Sequence, residues 1–351
     1  MKKICILVGA RPNFVKVAPL IRAIECSGGA TYKLLYAGRA DDPTLEPSLF
    51  SDLAMPRPDG FLGVDSTRLN EITSQVMARF DGYLEREPAD VVIVVDDLAS
   101  TMAAAIVAKK RGLRLAHLVA GTRSFDMKMP KEVNRLVIDA LSDYLFTAGS
   151  RSNSVASREQ GEGAGTYMVG NILLDSLRFC QPRLRKPAID VEAGGYIVLT
   201  INRRALLADE AKLSQLLTAI ASAAGPATIV APLRDEARAV VERLTARPLL
   251  LAPPFPYLEF GWLTAHALGI ITDSGNVAEE ATFNGVPCIT LNSYTEHKET
   301  VSIGTNVLVG EDPQCLSDAV SQMVGGQWKK GALPERWDGR TAERIVKILT
   351  E

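Results

Sequence analysis

Histidine is scarce. Only three occur in 351 residues, His117, His266 and His297, too far apart in the chain to set up a metal-ligand spacing. The five cysteines (Cys5, Cys26, Cys180, Cys288, Cys315) are scattered, odd in number and never in a CxxC pair. That pattern excludes a disulfide framework and a zinc site, and implies reduced, mostly buried thiols in a cytoplasmic protein. No apolar run is long enough to span a membrane. The opening MKKICILVGARP turns into Gly and Pro too soon for a signal-peptide core, and reads as a first strand. An excess of one charge is missing too: the formal net charge of -2 gives no reason to expect nucleic acid or an anionic membrane as partner. Short repeats, low-complexity tracts and heptads are absent. So is a G-x-G-x-x-G in the first strand–helix turns, which removes the dinucleotide fingerprint.

What is present is ordinary globular material, 47% hydrophobic and 23% charged, in a chain long enough for two domains. Apolar runs ICILVG, VVIVVDD, RLAHLVA and YLFTAG are each followed by a helical pattern. In STMAAAIVAKKRG, for example, Ala103, Ile106 and Val107 share a face and Gly112 ends the run. Continuous β-branched runs, rather than alternating ones, mean strands covered on both faces and hence a parallel sheet. The stretch CQPRLRKPAIDVEAGG is rich in Pro, Gly and charge and reads as a linker. A second series then begins: YIVLTIN, ATIVAP, PLLLAP, LGIITDSG, PCITLN. The expectation is an α/β protein of two doubly wound Rossmann-like domains facing a central cleft. Their bounds are 1–178 and 193–351, joined by a linker at 179–192, and the last helix is a candidate to pack back on the first domain.

In open α/β sheets ligands bind beyond the carboxyl ends of strands, so the loops there carry the information. In VGARPNFVK, Gly9 permits a sharp turn and Pro12 suits a first helical turn. Free N–H groups with Arg11 and Lys16 make a candidate anion site, set against a plain strand–helix turn with surface charges. In ITDSGNVAEEA, a Ser274–Gly275 turn at a helix N-terminus suits a diphosphate, and Glu280 could accept bonds from two ribose hydroxyls. The plain alternative is a helix cap by Asp273 or Ser274. His117 reads as packing at a strand end, His266 as structural on an amphipathic helix, and Trp262 as core rather than a base platform. His297 is open between structure and ligand contact. Asp96 and Asp97 lack the third convergent acid a Mg²⁺ site needs, and Cys288 in an apolar strand reads as inert.

Taken together, GARPNFVKVAPL, VAGTRSFDMKMPKEVNR, VGNILLDSL, TDSGNVAEEA and TEHKE resemble the non-hydrolysing UDP-N-acetylglucosamine 2-epimerase family, in order from Met1 to about residue 325. RSFDMKMP looks closer to the branch acting on diacetamido-uronic acid nucleotides. The resemblance implies a glycosyltransferase-B-like fold, a UDP-sugar ligand, no cofactor or metal, and a homodimer or a pairing with a paralogue. It also implies a setting in bacterial surface-polysaccharide or sugar-nucleotide metabolism. The family's nucleotide contacts match Arg11, Lys16, Phe260, Ser274, Gly275 and Glu280; the second Gly of its SGG turn is Asn276 here. Arg123, Arg135 and His297 complete the substrate-binding set.

The sugar side departs from the pattern. Epimerisation at C2 removes a proton from a weakly acidic carbon while the diphosphate leaves C1, and a glycal intermediate is reprotonated on the other face. That chemistry needs positioned acids and bases. The family's Asp after its HGD strand is kept as Asp97. Its Glu in HVEAG is Val119, the first Glu of its PEE is Lys131 with Glu132 beside it, its HRRE reads Asn202 to Ala205, and its GQH turn is Gly38 to Ala40. A positioned acid or base is worth about a hundred- to ten-thousand-fold in rate, and groups that act as a unit fail as a unit. Ordinary 2-epimerase activity is therefore expected to be weak or absent. Three functions follow as expectations: a nucleotide-sugar enzyme with altered chemistry, such as sugar transfer with Arg11, Asn202 and the Ser274 turn stabilising phosphate and Asp97 as base; a binding paralogue; or an epimerase in which Asp97, Glu132 and Lys131 carry the catalytic roles.

Overall fold

The computed structural model describes residues 1–245 and 249–351. Thirteen strands are formed among them: β1 (Lys2–Val8), β2 (Ala30–Tyr36), β3 (Gly60–Phe61), β4 (Val91–Val95), β5 (Arg114–Leu118), β6 (Tyr144–Thr147), β7 (Gly165–Met168), β8 (Tyr196–Thr200), β9 (Thr228–Pro232), β10 (Leu250–Ala252), β11 (Gly269–Thr272), β12 (Cys288–Thr290) and β13 (Asn306–Leu308). They make two parallel sheets, in the orders β3-β2-β1-β4-β5-β6-β7 and β10-β9-β8-β11-β12-β13. The strands read from sequence are those with continuous apolar runs. VVIVV and YIVLT are buried along their whole length because helices cover both faces. In β8 alternate residues serve opposite sides: Ile197 and Leu199 enter one core of the second sheet, Tyr196 and Val198 the other. Of the expected PLLLAP strand, β10 covers Leu250–Ala252, and Pro248 lies outside the described residues.

The chain divides into two compact units, Met1–Phe179 with Glu335–Glu351, and Cys180–Pro334. The stretch expected as a linker is packed: Gln181–Arg183 forms a 3₁₀ turn, the Arg185 N–H bonds the Leu258 carbonyl, and Val191 is buried in a core of the second unit. The last helix, Thr341–Thr350, lies with the first unit beside the helix Arg11–Ser27. Its N-terminus is held by Asp175, whose carboxylate accepts the Thr341 N–H (3.1 Å) and the Ala342 N–H (2.8 Å). Just before it, the main chain crosses so close to Gly170 (φ +106°) that a Cβ there would sit 2.1 Å from the Arg336 carbonyl oxygen.

In each sheet the first strand of its unit has neighbours reached in opposite directions. Chain order therefore reverses between β1 and β4 in one unit and between β8 and β11 in the other. Loops leaving such a pair diverge and open a crevice at the carboxyl ends of the strands.

Candidate functional site

In the first unit the crevice is built around Asp96, which leaves β4 in the left-handed region at φ +59°. Its carboxylate takes the Lys16 ammonium at 2.6 Å and the Asn13 amide N–H at 2.7 Å. Asn13 in turn uses its Oδ1 to accept the N–H groups of Gly9 (3.0 Å) and Ala10 (3.2 Å). The loop expected to offer free N–H groups and a free Lys16 thus spends those two N–H groups on Asn13 and buries the lysine on Asp96. Arg11 remains available: it reaches Glu46 only at 3.8 Å, and its Nε is buried with no hydrogen-bond partner.

Asp97 faces three donors from the helix Pro130–Leu141. Arg135 approaches with Nε at 2.8 Å and Nη2 at 2.5 Å, and Lys131 stands 3.5 Å away. Burial pushes the Asp97 carboxyl up, but Lys131, Arg135 and Lys16 outweigh it and hold the group below the ordinary aspartate range. A carboxylate so compensated is a weak base. Lys131 itself is 59% exposed, a solvated ammonium rather than a buried one.

Glu132, read as a candidate catalytic group, is buried and fully engaged. It accepts the Ser124 N–H and hydroxyl (both 2.8 Å), the Phe125 N–H (2.9 Å) and Arg135 Nη1 (3.0 Å). These bonds, after burial has pushed its carboxyl up, bring it back below the ordinary glutamate range. Arg123, read as a substrate contact, is likewise committed, to Asp139 at 2.7 Å, Glu159 at 2.7 Å and the Thr122 carbonyl at 2.8 Å. Asp139 also receives His117 Nδ1 at 2.5 Å and the Gly121 N–H at 3.0 Å, while His117 Nε2 lies 2.9 Å from the Asp96 carbonyl oxygen. These buried partners fix the turn Val119–Gly121, in which Val119 sits at φ +76°.

The second unit keeps its turn open. Ser274 precedes the helix Gly275–Asn284 without a side-chain cap, and the Asp273 carboxylate is turned away to the loop after β8. The capping alternative raised by the sequence is not the one adopted, and the first N–H groups of the helix have no side-chain cap. His297 packs on Gly275 so closely that a Cβ there would lie 2.5 Å from the imidazole, and Nδ1 donates to Glu279 at 2.8 Å. Glu280 is buried one turn along. Burial, with Glu279 beside it, pushes its carboxyl up to about 8. Asn276 follows Gly275 in the first turn and Asn202 is exposed after β8. Phe260 lies partly buried against a core of this unit, in the helix Tyr257–Ala265. Trp262, on the same helix, stacks on His266 at 4.4 Å; the histidine caps the helix end through the Trp262 carbonyl. Cys288 is buried, and burial pushes its thiol up to about 12.

Among the described residues no group of three His, Cys, Asp or Glu is placed to hold a metal ion, and no helix is long and apolar enough to cross a membrane. The organisers are Asn13, Asp96, Asp139, Asp273 and Glu279. Of these the sequence raised only Asp96, as a metal ligand, and Asp273, as a helix cap; the "DD" after β4 and the "TD" at the end of β11 are the visible trace of those two.

Two doubly wound units with open loops at their switch points define the glycosyltransferase-B-like class of nucleotide-handling proteins. Within it, the family model described as UDP-N-acetylglucosamine 2-epimerase matches residues 22–350, and the chain belongs to that family. UDP-2,3-diacetamido-2,3-dideoxy-D-glucuronate 2-epimerase of Pseudomonas aeruginosa is 31% identical, covering 99% of both chains. UDP-N-acetylglucosamine 2-epimerase of Methanocaldococcus jannaschii is also 31% identical over 99% of both. The crystal structure of the latter enzyme in complex with UDP-GlcNAc and UDP matches with a TM-score of 0.83 at 30% identity, covering 99% of each chain. The Neisseria meningitidis enzyme bound to UDP-GlcNAc matches in fold with a TM-score of 0.88 at 24% identity, again over 99% of each chain.

Proposed function

We propose that this protein binds a UDP-N-acetylhexosamine or a derivative of one, and that 2-epimerisation by the ordinary family route is lost or severely weakened. The observation that carries the second half is the state of Asp97. The one family carboxylate retained on the sugar side is held by Arg135 and faced by Lys131 at 3.5 Å, where the family pattern has a glutamate. Val119 brings no ionisable group, and Glu132 is occupied with its own loop. Proton removal on one face and return on the other are left without a free pair of groups. Support for the first half comes from the uncapped Ser274 turn, the buried Glu280 and the unpartnered Nε of Arg11. Binding without turnover fits a regulatory paralogue in sugar-nucleotide or surface-polysaccharide metabolism, and the free thiols fit a reducing cytoplasm.

Calorimetry with UDP and UDP-GlcNAc, run beside an assay for solvent deuterium at C2, tests both halves. Binding with background deuterium incorporation is expected. Conversion of UDP-GlcNAc to UDP-ManNAc at ordinary enzyme rates would overturn the catalytic half, and no heat with any uridine nucleotide would overturn the other.

The partner we propose is a second copy of the chain. Leu69, Phe125, Met127, Met129 and Val133 are exposed, and Leu69 and Val133 line one open groove of about 500 Å³ in the first unit. The exposed charges around it are of both signs, Arg68 and Lys128 with Glu71 and Asp126. Such a rim can face itself across a two-fold axis.

A further inference from the structure

We propose that Asp273 is a positioning residue that locks the loop after β8 to the turn after β11 and thereby sets recognition of the ligand's phosphates. The proposal rests on the nucleotide-binding reading above. One carboxylate oxygen, Oδ2, accepts two main-chain N–H groups from across the switch point, those of Asn202 and Arg203, each at 2.7 Å. Bonds from N–H to an ionised acceptor are roughly twice as strong as neutral ones, so the two loops move as one body. The turn is braced from two other sides. Asn292, beyond β12, donates to the Asp273 carbonyl at 3.3 Å. Thr272 accepts the Ser274 N–H at 3.0 Å and shares a buried 2.7 Å hydroxyl bond with Thr200.

The consequence is a division of labour between neighbouring residues. An Asp just ahead of a helix ordinarily serves as its cap. Here that carboxylate points to the other loop, so the N–H groups at the start of Gly275–Asn284 stay uncapped by it. Asp96 stands at the equivalent place in the first unit, directly after the strand across its own switch point, and its carboxylate likewise holds the opposite element, through Lys16 and Asn13. The two differ in what they hold. Asp96 has a cation for a partner, whereas Asp273 has only neutral amides, and its Oδ1 is buried without a partner. A buried acceptor left unsatisfied is costly, so the two bonds to Oδ2 are the interactions that offset burial of this carboxylate.

The test uses the full chain, D273A and D273N, with uridine, UMP and UDP as probes in calorimetry. Amide hydrogen exchange at residues 202 and 203 is followed in the unliganded proteins. Asn keeps an acceptor oxygen at the same reach, so D273N should retain most of the behaviour. For D273A, exchange at both amides should accelerate, and UDP affinity should fall about tenfold or more, the loss expected for a pair of charge-assisted bonds. Uridine affinity should change less than about twofold, because uridine carries no phosphate. Unchanged exchange in D273A overturns the lock. Equal losses for uridine and UDP overturn the phosphate role and reduce Asp273 to fold support. Failure of the unaltered chain to bind any uridine compound sinks the nucleotide reading and the phosphate role with it, while the exchange data still decide the lock.

Discussion

Val119 puts a β-branched side chain at φ +76°, a conformation glycine or asparagine adopts with far less strain. The turn is not free to relax. The Val119 N–H bonds the Phe146 carbonyl at 3.1 Å, and Gly121 is tied to Asp139 at 3.0 Å. Left-handed strain costs roughly 1–2 kcal/mol. V119N should therefore raise Tm by a few degrees in calorimetry, on the scale of about 2–4 °C per kcal/mol. V119A, still strained at that φ, should not; a V119N no more stable than V119A would show that the turn carries no strain. Glu280 gives a pH signature instead. Its folded carboxyl is raised to about 8 from an ordinary 4.5 by burial and by Glu279. The sign follows: the folded chain holds this proton more tightly, so the contribution is full below 4.5 and is lost as pH rises through about 8. E280Q does not titrate. Its Tm advantage over the unaltered protein should grow across that window and level off above it, and a pH-independent difference would contradict the assignment.

Elements were legible where local pattern decides them. β4 and β8 stand out as continuous β-branched runs, and Pro12 marks the first turn of the helix Arg11–Ser27. The two-residue β3 carries too little pattern to find, and β2, ATYKLLY, hides its apolar end behind Thr31, Tyr32 and Lys33. The candidate site splits the same way. The replaced positions Val119, Lys131 and Asn202 are visible as departures from motifs, but the fates of Lys16, Arg123 and Glu132 are not. Lys16 and Arg123 are decided by partners brought in by the fold, as with Asp96, 80 residues from Lys16, and Glu159, 36 residues from Arg123; Glu132 is decided by its own loop folding onto it. The last helix shows the limit clearly. Its apolar face, Ile345, Val346 and Leu349, is readable, but its anchor Asp175 lies 166 residues before Thr341. D175A leaves two buried N–H groups at that helix start unpaired, a cost of about 1–3 kcal/mol. A Tm lower by several degrees is expected, with faster hydrogen exchange in 335–351 than elsewhere in the first unit. Uniform exchange across that unit would show that Asp175 does not act through the helix.

At the scale of the whole molecule the notable surface is the one around Leu69 and Val133. Five of the nine large hydrophobics exposed among the described residues are Leu69, Phe125, Met127, Met129 and Val133. Phe125 is 65% exposed and also held at φ +60°, clamped through its N–H by the buried Glu132. A strained backbone that presents an aromatic ring to water loses free energy twice unless something covers the ring. Self-association through the face carrying Leu69 and Val133 would bury those two side chains in both copies across a two-fold interface. V133E places a charge in the open groove lined by Leu69, Met102 and Pro130, and Val133, 40% exposed, is not one of the buried core residues. Each buried glutamate costs about 1.4 kcal/mol or more, a factor of ten, and a two-fold axis counts it twice. Sedimentation equilibrium should show a dimer for the unaltered chain and association weakened by about a hundredfold in affinity for V133E, with Tm of the dilute monomer unchanged. A monomer at high concentration, or a dimer indifferent to both V133E and L69E, would place the covering partner elsewhere and leave Phe125 to answer to a different molecule.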